Sequence, residues 1–286
     1  MQTARADIDG TALEYVERGR GAPLVLVHGS ASDRRTWEAQ VSALGTRFRT
    51  IAYSRRYHWP NAPIAAGADY AMQQQVDDLR ALLPALQAAP AHLAGHSYGA
   101  LVALHLAMRE PWLVRSLVLC EPPAVTLFVH NSPRAAELAS LLLARPRTAL
   151  AILKFGATGV APATAAARRG DMEAAMRVFG KAVLGRAFYG RLSAARLEQV
   201  QANAIQAEFL GSGFPPLQEA AVRSVQVPTL LVGGARSPRL FHRLLDGLEA
   251  LLPVSRRVEI AAASHIVHED NPRAYNVALA RFVAEH

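Results

Sequence analysis

The chain has 286 residues, 51% of them hydrophobic, which suits one large α/β domain or a core domain with a modest insertion. Its formal charge of +8 comes from scattered arginines with only two lysines, Lys154 and Lys181, so we expect no nucleic-acid partner. A single cysteine, Cys120, excludes an internal disulfide, and the absence of a leader or a long uninterrupted apolar run predicts a cytoplasmic protein without a membrane partner.

The first predicted elements form a hairpin that leads into a parallel sheet. Two short alternating segments, 5–9 and 13–17, flank an Asp-Gly turn. The Pro-Leu-Val-Leu-Val run at 23–27 is continuously apolar, as strands buried on both faces are. A helix over 37–44 and a strand over 49–53 follow. The pattern indicates the start of a βαβ alternation.

The alternation continues, is interrupted, and then resumes. A helix is predicted over 69–87, and strands are predicted over 91–94, 116–120, 229–232 and 257–260. Between 122 and about 216 the strand signal disappears, and Ala, Leu, Arg and Gln indicate several helices. We interpret this segment as a helical cap over the carboxyl edge of the sheet, where it shapes substrate access. The predicted division is therefore core 1–121, cap 122–216 and core 217–286.

The most informative motif is Gly-His-Ser-Tyr-Gly at 95–99. It lies between a predicted strand and a predicted helix, the context of a turn that pushes a serine hydroxyl out of a parallel sheet. The turn is too tight for side chains two residues to either side of the serine, which explains both glycines. The motif predicts that Ser97 is a nucleophile.

A serine hydroxyl needs a base within hydrogen-bond reach, and a histidine is the usual base. His265 is the best candidate because it lies in a loop after the last apolar strand and before a C-terminal helix. His268 competes on position alone, and we place it at the edge of the pocket. Backbone amides of Ser30 and Tyr98 are the predicted oxyanion hole, because Ser30 follows strand 23–27 and Tyr98 follows the nucleophile.

Three segments together resemble the α/β-hydrolase fold family: Leu-Val-His-Gly at 26–29, the motif at 95–99, and the late Ser-His loop at 264–265. The resemblance spans nearly the whole chain. It implies an α/β fold with a mostly parallel sheet of about eight strands and helices on both faces. It also implies a Ser, acid, His triad in that chain order, and no metal or organic cofactor.

The chain departs from this family at the triad acid. Most members carry an aspartate after the strand that corresponds to 229–232, where this sequence has Ser237 but no carboxylate. We assign the role to Glu121, at the end of the strand that follows the elbow helix. Haloalkane dehalogenases and fungal zearalenone lactonases are similar in taking their acid from this strand end. The remaining candidates are Asp246, Glu249, Glu269 and Asp270.

A second departure is the loop after strand 49–53. Tyr57 and Trp59 stand where related proteins usually have glycine, so these aromatic side chains are predicted to line the substrate pocket together with His268.

These observations predict a serine hydrolase that cleaves a small-molecule carboxylic ester or lactone. A serine-dependent carbon-carbon hydrolase or perhydrolase stays open as an alternative. A binding protein that keeps the fold and captures a small ligand is a second alternative, because the late aspartate is missing. No residue in the sequence identifies the acyl or alcohol group, and the oligomeric state is equally open.

Overall fold

A computed structural model describes residues 3–286. The strands are β1 (Thr3–Ile8), β2 (Thr11–Arg18), β3 (Pro23–Val27), β4 (Arg49–Tyr53), β5 (Ala91–His96), β6 (Val114–Cys120), β7 (Thr229–Gly234) and β8 (Ser255–Ile260). They form one eight-stranded sheet in the order β1-β2-β4-β3-β5-β6-β7-β8. Only the β1–β2 and β2–β4 pairs are antiparallel. The predicted fold class is confirmed.

Fourteen α-helices are described around this sheet. They are α1 (Glu38–Leu44), α2 (Met72–Ala85), α3 (Tyr98–Arg109), α4 (Ala135–Ala144), α5 (Pro146–Phe155), α6 (Ala161–Arg168), α7 (Met172–Leu184), α8 (Arg186–Tyr189), α9 (Ala194–Ala202), α10 (Gln206–Leu210), α11 (Glu219–Arg223), α12 (Arg239–Glu249), α13 (Val267–Asp270) and α14 (Pro272–Ala284). Short 3₁₀ turns occupy Arg34–Trp37, Pro111–Leu113 and Val125–Leu127, and a π-helical turn, Gly156–Val160, joins α5 to α6.

The central strands are apolar on both faces because helices cover both. In β3, Val25 and Val27 contribute to the apolar cluster beneath α2 and α3, whereas Leu24 and Leu26 contribute to the cluster beneath α1 and α14. Side chains of a strand alternate between faces, so a continuous apolar run is what a doubly covered strand requires. Cys120, at the end of β6, is fully buried.

Between β6 and β7 the chain forms only helices, over Val125–Arg223. We call residues 122–216 the cap, and its status as a separate domain stays a prediction. The cap includes one helical stretch, Pro146–Arg168, that is long and apolar enough by length and composition to cross a membrane. This stretch was not predicted from the sequence, because Lys154 interrupts the apolar run. A core helix of a folded protein can be equally long and apolar, but only 28% of the most apolar 18-residue window of this stretch is buried.

Candidate active site

Ser97 lies at the turn between β5 and α3, in a strained backbone conformation. Its φ is +50° and its ψ is −119°, a combination that side-chain-bearing residues rarely adopt. The Ser97 amide donates to the Cys120 carbonyl at the end of β6, 2.8 Å away. The turn is thereby tied to the neighbouring strand, which holds the serine at the carboxyl edge of the sheet.

The two glycines of the motif are required by close approach of backbone to backbone. A Cβ atom on Gly95 would lie 2.5 Å from the Ala100 Cα atom, and one on Gly99 would lie 2.3 Å from the Val27 carbonyl oxygen. Both distances are well inside van der Waals contact, and both involve backbone that cannot move aside. The elbow therefore packs directly against α3 and β3, which fixes the position of the Ser97 side chain.

Glu121 immediately follows β6, is fully buried, and uses both carboxylate oxygens. Its Oε2 atom lies 2.7 Å from Nδ1 of His265, and its Oε1 atom accepts a hydrogen bond of 2.8 Å from the Gly234 amide at the end of β7. Like Ser97, Glu121 has a positive φ, +47°. A carboxylate held at both oxygens fixes the orientation of an imidazole.

Contacts on three sides hold the loop that carries His265. The Asp270 carboxylate accepts hydrogen bonds of 2.7 Å from both the amide and the hydroxyl of Ser264. Burial raises the pKa of Asp270, and the bonds from Ser264 oppose that rise. The Phe241 ring stacks on the His265 ring at 4.0 Å, and Nε2 of His96 donates to the His265 carbonyl at 2.9 Å. Both the backbone and the ring of His265 are therefore constrained.

The other candidate acids contact different partners. Glu269 pairs with Arg196 at 2.9 Å, and Asp246 pairs with Arg257 at 2.6 Å. The Ser237 hydroxyl, at the usual acid position, is buried without a hydrogen-bond partner among the described residues. Glu121 is the candidate that the structure brings to His265.

Ser97 and His265 line one small cavity of about 60 Å³ beneath the cap. Ser30 and His96 also line it, but most of its wall is apolar and comes from the cap residues Met176, Phe179, Val183, Leu184, Leu192 and Val200. Pockets for whole small-molecule ligands occupy roughly 300–1,000 Å³. As closed here, the cavity therefore accommodates only a few heavy atoms beside Ser97. Among residues 3–286, no group of three or more His, Cys, Asp or Glu side chains is arranged to hold a metal ion.

The amides of Ser30 and Tyr98 are free to act on a ligand. Neither donates a hydrogen bond to another group among residues 3–286, and the Tyr98 amide is the first of α3, where no intrahelical acceptor exists. Ser30 lines the cavity beside Ser97. Two free amides near a nucleophile can stabilise a developing oxyanion.

Arg55 supports the turn that carries Ser30, and the sequence analysis missed it. The guanidinium is fully buried and donates to the carbonyls of His28 at 3.0 Å and Gly29 at 3.1 Å. The Arg55 amide in turn donates to Nε2 of His28 at 2.8 Å. Burial and the charge of Arg55 hold the pKa of His28 well below its usual value, so His28 is a neutral acceptor. The only sequence signal was a pair of arginines, Arg55 and Arg56, close behind the apolar strand β4.

None of the three predicted pocket residues, Tyr57, Trp59 and His268, lines this cavity, and their contact with a substrate stays a prediction. Tyr57 is half-buried, and its hydroxyl donates to Gln74 at 2.9 Å. Trp59 is 39% exposed beneath the Arg35 guanidinium, 3.8 Å from the ring centroid. His268 is fully buried against Trp37, with ring centroids 4.1 Å apart. An aromatic residue that follows a strand packs on the core as readily as on a ligand, and sequence alone does not distinguish the two.

A cap side chain that the sequence analysis missed reaches the cavity instead. Arg196 on α9 lines it and is held by Glu269 at 2.9 Å, by the Ala31 carbonyl at 3.2 Å and by Gln199 at 3.2 Å. These contacts use Nε and Nη1 of the guanidinium and fix it in place. Arg196 also helps to keep the pKa of buried His268 low, although burial is the larger cause.

Comparisons with known sequences identify the family of this chain. The model of the Alpha/beta hydrolase family matches residues 24–278, a range that includes Ser97, Glu121 and His265. The chain belongs to the alpha/beta hydrolase family. Carboxylesterase CesB (YbfK) from Bacillus subtilis superposes on this alpha/beta hydrolase with a TM-score of 0.74 at 18% identity, covering 100% of this chain and 92% of that one. The narrower resemblance to zearalenone lactonases stays a prediction.

Curated relatives of this alpha/beta hydrolase match over part of their length. It is 35% identical to the pimeloyl-[acyl-carrier protein] methyl ester esterase of Aeromonas hydrophila over 104 residues, which are 36% of this chain and 39% of that protein. It is 34% identical to the 2-(acetamidomethylene)succinate hydrolase of Mesorhizobium japonicum over 114 residues, 40% of each chain. The chain spans from 31% to 48% of the length of three further curated relatives that it matches.

Proposed function

We propose that this alpha/beta hydrolase cleaves a carboxylic ester or lactone through an acyl-enzyme on Ser97. The observation that carries the proposal is the 2.7 Å hydrogen bond between Glu121 and His265, in a chain whose elbow serine faces the same cavity as that histidine. A fixed imidazole beside a strained serine is the arrangement that nucleophilic acyl transfer requires. Two of its relatives are named for hydrolysing a methyl ester and an acetamidomethylene succinate.

In the first step the Ser97 hydroxyl attacks the carbonyl carbon, and Nε2 of His265 takes the hydroxyl proton. The imidazolium that forms is stabilised by the Glu121 carboxylate at Nδ1. The carbonyl oxygen gains negative charge and receives hydrogen bonds from the amides of Ser30 and Tyr98. His265 then gives its proton to the leaving alkoxide as the carbon-oxygen bond breaks.

In the second step water replaces the alcohol. His265 takes a proton from this water, whose oxygen attacks the acyl carbon, and returns a proton to Ser97 as the acid product leaves. The apolar cap residues face the acyl or alcohol group, and fixed N–H groups of Arg196 face acceptor atoms of the same substrate. The small cavity volume indicates that a chain of more than a few atoms enters only when the cap residues shift.

The test is intact-mass labelling with a fluorophosphonate, followed by peptide mapping and by hydrolysis of p-nitrophenyl acetate. We expect one label on Ser97 in the wild type and none in Ser97→Ala. In Glu121→Gln we expect turnover to fall by about 10⁴-fold, because the tautomer and charge at His265 are lost. Ser237→Ala is the matched control and should retain wild-type turnover, since Ser237 makes no bond to His265.

Two outcomes would contradict the proposal. A folded wild-type protein that is not labelled but binds esters without turnover would favour the ligand-binding alternative. Near-normal hydrolysis by Glu121→Gln, together with a large loss in Ser237→Ala, would move the acid function to the loop after β7.

A further inference from the structure

The outer side of the cap exposes aliphatic side chains. Seven of the eleven large hydrophobic residues exposed in residues 3–286 belong to the cap, and five of these seven belong to α4, α5 and the π-helical turn after α5. Leu143 is 87% exposed and Leu150 is 60% exposed. The remaining three are Leu142, Leu153 and Val160. We call this surface of α4, α5 and the π-helical turn the outer face. Five exposed aliphatic side chains therefore lie within residues 142–160, a concentration that single surface leucines do not produce.

The cap that carries the outer face is basic overall, and Arg147 and Lys154 belong to the outer face itself. Residues 122–216 contain eleven Lys or Arg and five Asp or Glu, so +6 of the chain's +8 lies in the cap. Arg147 and Lys154 on α5 and Arg239 on α12 border a groove of about 990 Å³ between these helices. None of these three has a carboxylate within 4 Å among the described residues. Their charge is therefore available to an external anion.

Helical spacing places these features on one side of α5. Arg147, Leu150, Lys154 and Thr158 follow one another at intervals of three or four residues and line the groove. Ala149 and Ile152 lie on the opposite side of α5, buried in the apolar cluster that also contains Phe241. The inward side of α5 therefore packs against the core, and its outward side carries a leucine and two cations.

We propose that the outer face docks on an anionic lipid bilayer. Leucines at positions such as 143 and 150 insert at the boundary between headgroups and acyl chains, and the unpaired cations contact lipid phosphates. A second copy of the chain fits this face poorly, because a two-fold contact would bring the same unpaired cations together. This revises the expectation of no membrane partner, and it does not depend on the proposed hydrolase activity.

The test is co-sedimentation of the full chain with vesicles of phosphatidylcholine alone or with about 30% phosphatidylglycerol. We expect binding to the anionic vesicles only, and weaker binding in about 0.5 M salt because the charges are screened. Arg147→Glu with Lys154→Glu should lower partitioning at least tenfold, since each basic side chain near the surface contributes about 1 kcal/mol. Leu143→Ser with Leu150→Ser should also lower it.

The matched control is Arg273→Glu with Val277→Ser, which changes one exposed cation and one exposed aliphatic residue one helical turn apart on α14. It should bind as the wild type does, and circular dichroism should show that all variants are folded. Equal binding to neutral and anionic vesicles, or none to either, would overturn the proposal. Sedimentation velocity tests for self-association. If the wild type self-associates and the double variant Leu143→Ser with Leu150→Ser does not, the outer face binds a second copy of the chain, and the membrane proposal is overturned.

Discussion

The cap meets the core in two different ways on its two flanks. On one flank, Arg196 and Gln199 of α9 and Asn203, which follows the last residue of α9, face the core. Gln199 and Asn203 donate to opposite oxygens of the Asp33 carboxylate, at 3.0 and 2.7 Å. Asp33 is fully buried and lies in the loop that follows Ser30. Burial raises the pKa of Asp33, but the hydrogen bonds from Arg35 and Asn203, together with neighbouring positive charge, lower it overall.

On the other flank, α5 meets α12 through apolar side chains alone, with Ile152 and Phe155 against Phe241. Hydrogen bonds to a buried carboxylate are directional and costly to leave unmade, whereas apolar contact is non-directional. One cap can therefore be fixed where it meets the turn of Ser30 and remain adaptable where it meets a ligand or a surface. We expect the cap to shift on the α5 flank when substrate enters.

Acidification should produce the largest difference between the flanks. Four buried histidines lie near α9 and the turns that carry Ser30 and Ser97: His28, His58, His96 and His268. Burial holds the pKa of each well below its usual value. The unfolded chain therefore binds more protons below about pH 6.5, so stability is full above that pH and falls as the pH drops toward the folded-state values. Each histidine contributes up to about 1.4 kcal/mol per pH unit.

Urea unfolding at a series of pH values between 7 and 5 measures this slope. The slope of the unfolding free energy with pH reports how many more protons the unfolded chain binds than the folded chain. In His58→Gln this number should fall by up to about one, since His58 is buried between the Ser32 carbonyl and the Tyr70 hydroxyl. A free energy of unfolding that is constant over this range would show that these histidines are not buried as neutral groups.

Asp33→Ala should have the next largest effect. Removing the carboxylate leaves Gln199, Asn203 and Arg35 without their shared acceptor, and we expect a loss of about 3 kcal/mol in the free energy of unfolding. Turnover should fall as well, because the loop after Ser30 is released. The control is Asp246→Ala on the other flank. Its half-exposed ion pairs should contribute less than about 1 kcal/mol, so equal losses in the two variants would remove the distinction between the flanks.

Arg196→Met tests whether the fixed flank also selects substrate. With mono-p-nitrophenyl succinate, whose acyl group carries a carboxylate, we expect the specificity constant to fall about tenfold, the effect of losing one hydrogen bond to a charged group. With p-nitrophenyl butyrate, which has a neutral acyl group of similar length, it should change much less. Equal losses for both esters would mean that Arg196 only supports the Ala31 carbonyl.

Leu150→Ser should have the smallest effect on stability. The side chain is 60% exposed and buries little area, so the free energy of unfolding should change by no more than about 0.5 kcal/mol. Thermal unfolding against wild type measures this. A loss above about 2 kcal/mol would show that Leu150 packs against the core, and would remove the contrast between the two flanks.

The sheet was predictable because strands covered on both faces produce apolar runs, such as 23–27, that end where charged or turn residues begin. Ser97, Glu121 and His265 were predictable as candidates because motif and strand order place them at one edge. The contacts that support these three residues could not be predicted from the sequence. Arg196 and the Ala31 carbonyl are 165 residues apart in sequence, and no local periodicity encodes which distant backbone a cap arginine meets. The roles of these residues stay predictions until the variants are measured.

Glu121 is followed at once by Pro122 and Pro123, where the cap begins. The other cap junction, near Leu217, is separated from β7 by all of α11. We therefore expect exchange of caps between relatives to be asymmetric. A recombination point can move within the second junction without touching the site, whereas a displacement of one residue at the first junction changes the proposed acid or its left-handed backbone. Among relatives with different caps, the residues around the first junction should stay the same, whereas the length and sequence of the second junction should vary.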